Sequence, residues 1–250
     1  VGFMTGWINQ RIHDALHYEI SHIQIHNPDY LLNEEVQFTI SDYQKVEDSI
    51  KTTPGIKAFA PRIKVFGMAQ SDWASTGLIV KGIDPDKEKT VTDIHTKITA
   101  GEYFENEKGL PAIVLGSKAA ENLKLLNYEV NEEKLNSVDE NIREKLHSLS
   151  EKRYRTRKEF EVALKSVLGA EYNKKDLYNL INHFAFFRLR AKITVTLQNM
   201  QGELVFVTFR LKGIFDTSND MFDGITAFVK ADDLKKLMNI KDNEYHEIVI

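Results

Sequence analysis

The clearest pattern in this chain lies between residues 193 and 212. Ile193, Val195 and Leu197 alternate with Thr194, Thr196 and Gln198, and Val207, Phe209 and Leu211 alternate with Thr208, Arg210 and Lys212. Successive side chains on a strand point to opposite faces, so a period of two predicts a half-buried hairpin. Its turn falls at Asn199-Met200-Gln201-Gly202, where Gly202 can adopt the left-handed conformation of a bulged turn. The same alternation at Ile20, His22, Gln24 and His26 predicts a strand from Glu19 to His26, ended by Asn27-Pro28-Asp29. Ile56 to Met68 reads as a long strand that turns at Gln70-Ser71-Asp72 and returns from Trp73 to Lys81. Further on, Asp216 to Gly224 reads as a polar loop, Ile225 to Val229 as a strand and Ala231 to Met238 as a short helix.

Helical spacing joins Tyr43, Val46, Glu47 and Ile50 behind a capping box offered by Ser41 and Gln44, and Pro54-Gly55 stops that helix. Strand, helix and strand with short links predict a right-handed crossover. Gly116 to Leu126 reads as a second helix, with Ala119, Ala120 and Leu123 turned to the core. From Tyr128 to Arg188 the segment is charged and helical in spacing, through Val138, Ile142, Leu146 and Leu149, then Phe160, Ala163, Leu164 and Val167, then Leu177, Leu180, Ile181 and Phe184. It reads as an inserted helical subdomain.

The two ends differ from the middle. Val1, Phe3, Met4, Trp7 and Ile8 give way to Asn9-Gln10-Arg11, as a membrane helix does on leaving the hydrocarbon with Trp7 at the interface. Gly6 to Tyr18 then reads as a stalk helix continuing a membrane span; a short amphipathic helix packed on the domain fits the same residues. The chain closes on the apolar, β-branched strand Glu247-Ile248-Val249-Ile250, with no polar tail after it.

Composition narrows the function classes. With 250 residues and 42% of them apolar, the chain can bury a core of one large or two ordinary domains. A net charge of −4, from 33 basic and 37 acidic residues, argues against nucleic acid as the main partner. The absence of cysteine removes disulfides and thiol chemistry. No run of apolar residues is long enough to span a bilayer.

Candidate chemistry is thin. Gly116-Ser117-Lys118 follows a strand as a phosphate loop would, but the order of lysine and hydroxyl is wrong and Pro111 stands where a first glycine is needed, which leaves a helix cap. Asp84-Pro85-Asp86-Lys87-Glu88 has the alternate acids of a calcium loop, yet Lys89 replaces the turning glycine and His95 the bidentate acid, so a solvated turn is expected. His13 with His17, and His22 with His26, form pairs with no third zinc ligand, so no metal is expected. The basic run Lys152-Arg153-Tyr154-Arg155-Thr156-Arg157-Lys158 sits in a segment with 11 acids and 12 bases, and reads as a solvated connection or a docking patch for an acidic partner. No nucleophile elbow or dinucleotide turn appears, and no catalytic residue or cofactor is assigned.

Two apolar clusters stand out instead: Phe66, Met68 and Trp73 flank a hairpin turn, and Phe184, Phe186 and Phe187 crowd a helix end. Exposed aromatic surface marks a partner or lipid contact. Phe66, Met68, Trp73, Phe186 and Phe187 are the candidate contact residues; core packing is the competing reading, favoured for Phe184.

Taken in order, Pro54-Gly55, Ala60-Pro61-Arg62, Thr76-Gly77, Gly82-Ile83-Asp84-Pro85, Gly101-Glu102-Tyr103-Phe104, Val114-Leu115-Gly116 and Gly213-Ile214-Phe215 resemble the MacB-like periplasmic core domain of ABC-transporter permeases, most closely the LolC/LolE-type lipoprotein-releasing branch. The resemblance implies an α+β fold. It divides the chain into a stalk helix at 1–18, a porter-like strand–helix–strand subdomain at 19–116 and 244–250 whose incomplete second half leaves the closing strand as an unpaired sheet edge open to dimerisation or strand exchange, and an inserted Sabre-like α/β subdomain at 117–243 whose helical segment is enlarged. It implies a place on the periplasmic side of the inner membrane. The implied partners are a cytoplasmic ATPase reached through the membrane region, a second permease copy, and a lipoprotein or its periplasmic carrier; nucleic acid is not among them. The implied role is mechanical, coupling ATP-driven motion to cargo without enzyme chemistry. Peptide or drug efflux, and FtsX-type recruitment of a cell-wall hydrolase, are the neighbouring readings; a free-standing hydrolase would need a polar cleft with converging titratable groups.

Overall fold

A computed structural model describes residues 2–104, 109–150, 152–169 and 172–250; Val1 and the side chains of Phe3 and Trp7, part of the expected membrane-exit pattern, lie outside the described residues. The chain is a mixed α/β protein that separates into two compact units, Val1–Leu123 with Leu189–Ile250, and Lys124–Arg188. These cut the chain differently from the boundaries implied by the resemblance, because strands on both sides of residue 116 share one hydrogen-bonded sheet.

The first unit opens with α1 (Gly2–Asp14), which runs on without a break through a π-helical turn at Ala15–Ile20. The strand expected from Glu19 is therefore shorter: the helix persists to Ile20, Ser21 reverses the chain at φ 62°, and only β1 (Gln24–His26) is extended. Then come α2 (Tyr30–Asn33), α3 (Tyr43–Thr52), β2 (Ala60–Gln70), β3 (Ser75–Ile83), α4 (Pro85–Glu88), β4 (Ile98–Gly101), β5 (Ala112–Gly116) and α5 (Ser117–Asn122). The Ser41 capping box does not form; Asp42 is the N-cap of α3 and pairs with Lys45 at 2.5 Å. The second helix is half as long as its apolar spacing suggested.

The second unit is not wholly helical. Between β6 (Leu126–Glu129), α6 (Glu132–Leu135), α7 (Glu140–Leu146), β7 (Arg153–Tyr154), α8 (Arg157–Leu168), α9 (Lys174–Phe184) and β8 (Ala185–Phe187), an antiparallel sheet β7-β6-β8 forms. Strands of two to four residues are too short to show a period. Its core of Tyr128, Leu146, Phe160, Leu164, Ile181 and Phe184 is its own, and Thr156 with Glu159 makes a complete capping box on α8. The basic run is thus divided between a short strand and a helix start.

The chain returns to the first unit with β9 (Lys192–Gln198), β10 (Leu204–Phe215), α10 (Asp220–Ile225), β11 (Thr226–Lys230), α11 (Ala231–Met238) and β12 (Glu247–Val249). The expected polar loop at 216–224 contains α10. Around Gly202, at φ 82°, the β9–β10 hairpin closes where the alternation predicted. β2 pairs with β3, β3 with β11, β11 with β5, β5 with β10, β10 with β9, and β9 again with β2, so these strands close into a ring. Val65, Ala69, Leu78, Val80, Ile113, Leu115, Ile193, Val195, Leu197, Phe209, Leu211, Ala227 and Val229 share the inward parity, and all are buried. A barrel of this size is filled by side chains rather than hollow.

β12 corrects the expectation of an open edge. It lies between β1 and β2, antiparallel to both, and its residues are buried. β1 and β2 are therefore parallel neighbours with β12 inserted, and Tyr43 and Ile50 of α3 pack with Ile248. The edge of this layer is β1, only three residues long, and short edge strands offer little template for pairing.

Candidate functional site

Three features of the first unit bear on function: an uncovered sheet face, the anchor of α1, and the charges buried beneath that anchor.

On β2 the inward residues Val65, Gly67 and Ala69 leave Phe66 and Met68 pointing outward, 71% and 48% exposed. The pairing register aligns them with outward residues of the neighbouring strands. Met68 stands opposite Gly77 of β3 and Thr196 of β9, and Thr196 stands opposite Phe206 of β10; one row on, Phe66 pairs with Ile79 and Gln198 with Leu204. Phe206 and Leu204 are each 67% exposed. The face is thus a strip across four strands on which Phe66 and Met68 of β2 and Leu204 and Phe206 of β10 flank Thr196 and Gln198 of β9, with the Phe66 ring lying over Gly77. Aromatic side chains left in water over several strands do not stabilise the fold and suit a contact surface.

Trp73 lies in the turn that joins β2 to β3, half exposed, with its amide held by Ser71 Oγ at 3.1 Å. Phe186 and Phe187 belong to the other compact unit, half-buried on β8 opposite Asn127 and Leu126. Phe184 is fully buried in that unit's core. Leu204 and Phe206 were not singled out from sequence. The signal was there, since they have the parity opposite to Phe209 and Leu211, and an apolar residue at a polar parity is what marks an exposed patch.

The helix α1 leaves Met4, Ile8 and Ile12 exposed at successive four-residue steps, an apolar stripe that nothing in its unit covers. Its far end is held tightly. Tyr18 packs on the aromatic core around Phe215, Phe222 and Phe228, and Lys97 sits 4.6 Å above its ring. Asp93 N–H donates to His17 O at 2.8 Å, and His17 Nδ1 lies 3.0 Å from the Asp93 carboxylate. Asn219 Nδ2 donates to Glu19 Oε1 at 2.5 Å, and Ser21 Oγ donates to Ile250 O at 2.8 Å. No described helix is long and apolar enough to cross a membrane.

Beneath this clamp lies a buried charge network built from the motif residues. Arg62, 1% exposed, donates from Nε and Nη2 to both oxygens of Glu88, at 3.0 and 2.6 Å, and from Nη1 to Glu247 at 2.9 Å. Thr92 Oγ1 donates to Glu88 at 2.8 Å. Glu88 is placed by Asp84, whose carboxylate caps α4 through the amides of Asp86 and Lys87, with Pro85 preset for the first helical turn. The supposed calcium loop is therefore a capped helix whose last acid neutralises an arginine. Burial would raise the carboxyl of Glu247, but Arg62 and Lys81 beside it hold it below the usual range. Lys81 donates to Glu19 O at 3.2 Å, so a cation meets the C-terminal end of the first helix where its dipole is negative. Burial, with Arg62 adding repulsion, pushes Lys81 down to about 8.

Arg62 Nε, Nη1 and Nη2 each face a carboxylate of Glu88 or Glu247, and among the described residues no cluster of three histidines or carboxylates is spaced to hold a metal. The His13 and His17 rings lie 4.0 Å apart at a tilt of 39°, and His22 stands 6.3 Å from His17. The Gly116-Ser117-Lys118 turn serves packing: a β-carbon on Gly116 would overlap the backbone of Asp223.

No family model matches the chain. Among solved structures, the fold is similar to the extracellular domain of the noncanonic ABC-type transporter YknZ from Gram-positive bacteria, at 13% identity and a TM-score of 0.43, over 90% of this chain and 79% of that one. It is also similar to the periplasmic region of MacB from Actinobacillus actinomycetemcomitans, at 11% identity and a TM-score of 0.42, over 90% of this chain and 71% of that one.

Proposed function

We propose that this chain is the extracytoplasmic domain of an ABC-transporter permease, working as a lever that passes motion from a membrane-side helix to a contact surface. The observation that carries the reading is the clamp at Leu16–Ser21. One end of a helix is free along an apolar stripe, while the other is fixed to the body by a buried lysine, an aromatic side chain and several hydrogen bonds. A helix so held moves with the body as a unit, which suits rigid-body coupling. The ordered motifs support the MacB-like assignment, since they supply the network that stiffens the joint: Arg62 from Ala60-Pro61-Arg62, and Glu88 placed by Asp84-Pro85.

Within that class we favour lipoprotein release from the inner membrane to a periplasmic carrier. In this reading β1, α3, β2 and β12 form the porter-like layer, the cytoplasmic ATPase drives the helix through the membrane region, and a second permease copy stands alongside. The strip Phe66, Met68, Leu204 and Phe206, with Trp73 at its edge, meets the lipoprotein or its carrier, for which apolar surface is the matching chemistry. The domain breaks no covalent bond and binds no cofactor.

Photo-crosslinking residues placed at 66, 68, 204 and 206 of the full-length protein in its native envelope test this. Adducts with a second transporter subunit, a lipoprotein or a soluble carrier are expected from these positions and not from the exposed Asp86. Adducts with an outer-membrane or cell-wall enzyme would move the assignment to efflux or hydrolase recruitment. A set of positions that captures nothing removes the strip as a contact surface.

A further inference from the structure

A second surface, distinct from the sheet strip, is a groove beside the clamp. It consists of two adjoining clefts of about 760 and 540 Å3 that share Ile56, Lys57, Ala58 and Thr90. The larger has the π-helical turn on one side and the Pro54–Ala58 and Lys89–Asp93 segments on the other; the smaller continues along α3. Its floor is apolar, formed by Leu16, Ile23, Ile56, Ala58, Val91 and Ile250. Clefts that hold small ligands run to about 300–1,000 Å3 and are mostly apolar with a few polar groups.

The rim has one sign of unspent charge. Its two acids are already paired, Glu47 with Lys51 at 3.0 Å and Asp93 with His17 at 3.0 Å. Lys89 reaches the exposed Asp86 only at 3.8 Å. Lys57 and Lys87, which line the shared part and the α3 side, make no ion pair among the described residues. An apolar trough bordered by ammonium groups matches a molecule with a hydrocarbon chain and an anionic head.

We propose that this groove binds an anionic lipid, its acyl chain along Ile56, Ala58 and Val91 and its phosphate between Lys57 and Lys87. The site stands on its own residues, whatever meets the sheet strip. Because the groove touches both the π-helical turn and the Pro54-Gly55 loop, an occupied groove adds contacts across the joint between helix and body.

The test is calorimetric titration of the 250-residue protein with single-chain lysophosphatidylglycerol below its micelle concentration. One-to-one binding is expected. Lysophosphatidylcholine of the same chain length should bind about tenfold or more weakly, a step of about 1.4 kcal/mol, and glycerophosphoglycerol, which lacks the chain, should not bind. Lys57→Glu with Lys87→Glu, the first exposed and the second partly so, should abolish the preference for the anionic lipid. Phe66→Ser with Phe206→Ser should leave it unchanged. Equal binding of the two lipids, indifference to the lysine changes, or loss on changing the sheet strip would each overturn the proposal. So would concentration-dependent dimerisation that the lysine changes abolish, which would give the groove to a second copy.

Discussion

The β2–β3–β11–β5–β10–β9 ring has two outer faces of similar composition and opposite fate. Over β11 and β5, the outward residues Phe228, Val114 and Ala112 are sealed by Ile94, Tyr103, Phe104, Phe215 and Phe222, and the π-helical turn after α1 adds Tyr18. Over β2, β9 and β10, Phe66, Met68, Leu204 and Phe206 are left largely exposed. The difference shows that apolar character alone does not assign a residue to a core. What matters is whether the chain supplies a covering segment, and residues 90–104 and α10 do so on one side only.

The sharpest way to break this comparison is to truncate one ring on each face. Phe228→Ala should cost about 3–5 kcal/mol, as a cavity in a packed aromatic core does, while Phe206→Ser should change stability by no more than about 0.5 kcal/mol. Urea unfolding of both variants decides it; similar losses would show that the strip is covered and is not a contact surface.

The joint beneath the covered face comes next. Glu88→Gln leaves Arg62 with one carboxylate and should cost about 3 kcal/mol or more, because half of a buried pair is worse than none. Thermal unfolding measures it. A change below about 1 kcal/mol, as for surface pairs, would mean that the network is wet.

A smaller effect should appear with pH. His246 accepts from Lys64 N–H at Nδ1 and holds Val36 O at 2.9 Å through Nε2, and burial keeps its pKa below the ordinary 6.5. The unfolded chain therefore takes up this proton first as pH falls, so stability should drop progressively below pH 6.5, and His246→Gln should flatten that part of the curve. Lys81 acts at the other end. Its folded pKa of about 8 lies below the unfolded 10.5, so the native state should gain stability as pH rises between them, and Lys81→Met should remove the gain. Denaturant midpoints from pH 5 to 10 test both.

The smallest expected change sharpens the separation of the units. Thr156→Ala removes the capping box of α8 and should cost the Lys124–Arg188 unit about 1 kcal/mol, with hydrogen exchange accelerated there and unaltered in β2, β3 and β11. Uniform acceleration would show that the two units unfold together.

Much of the fold was legible along the chain. Local rules placed the β9–β10 hairpin, α11 and the end of α3 before Pro54 within a residue or two, because periodicity, caps and glycine act between near neighbours. They missed β6, β7 and β8, whose lengths give no period, and they carried the first strand too far back, since Tyr18 and Glu19 are drawn into the helix by partners at Lys97, Lys81 and Asn219. Of the candidate contact residues, Phe66, Met68 and Trp73 were visible beside a predicted turn. Leu204 and Phe206 joined them only through the register of β9.

By itself, then, the sequence determined where the chain turns, which parity of each longer strand faces inward, and that Arg62, Asp84 and Glu88 lie in distinctive motifs. Tertiary structure decided that β9 closes on β2, that β12 enters between β1 and β2, and that residues 62, 88 and 247 meet in one buried network. The physical reason is range: propensity and periodicity are properties of neighbours in the chain, whereas covering a face or neutralising a buried charge depends on partners that only the closed fold brings within reach.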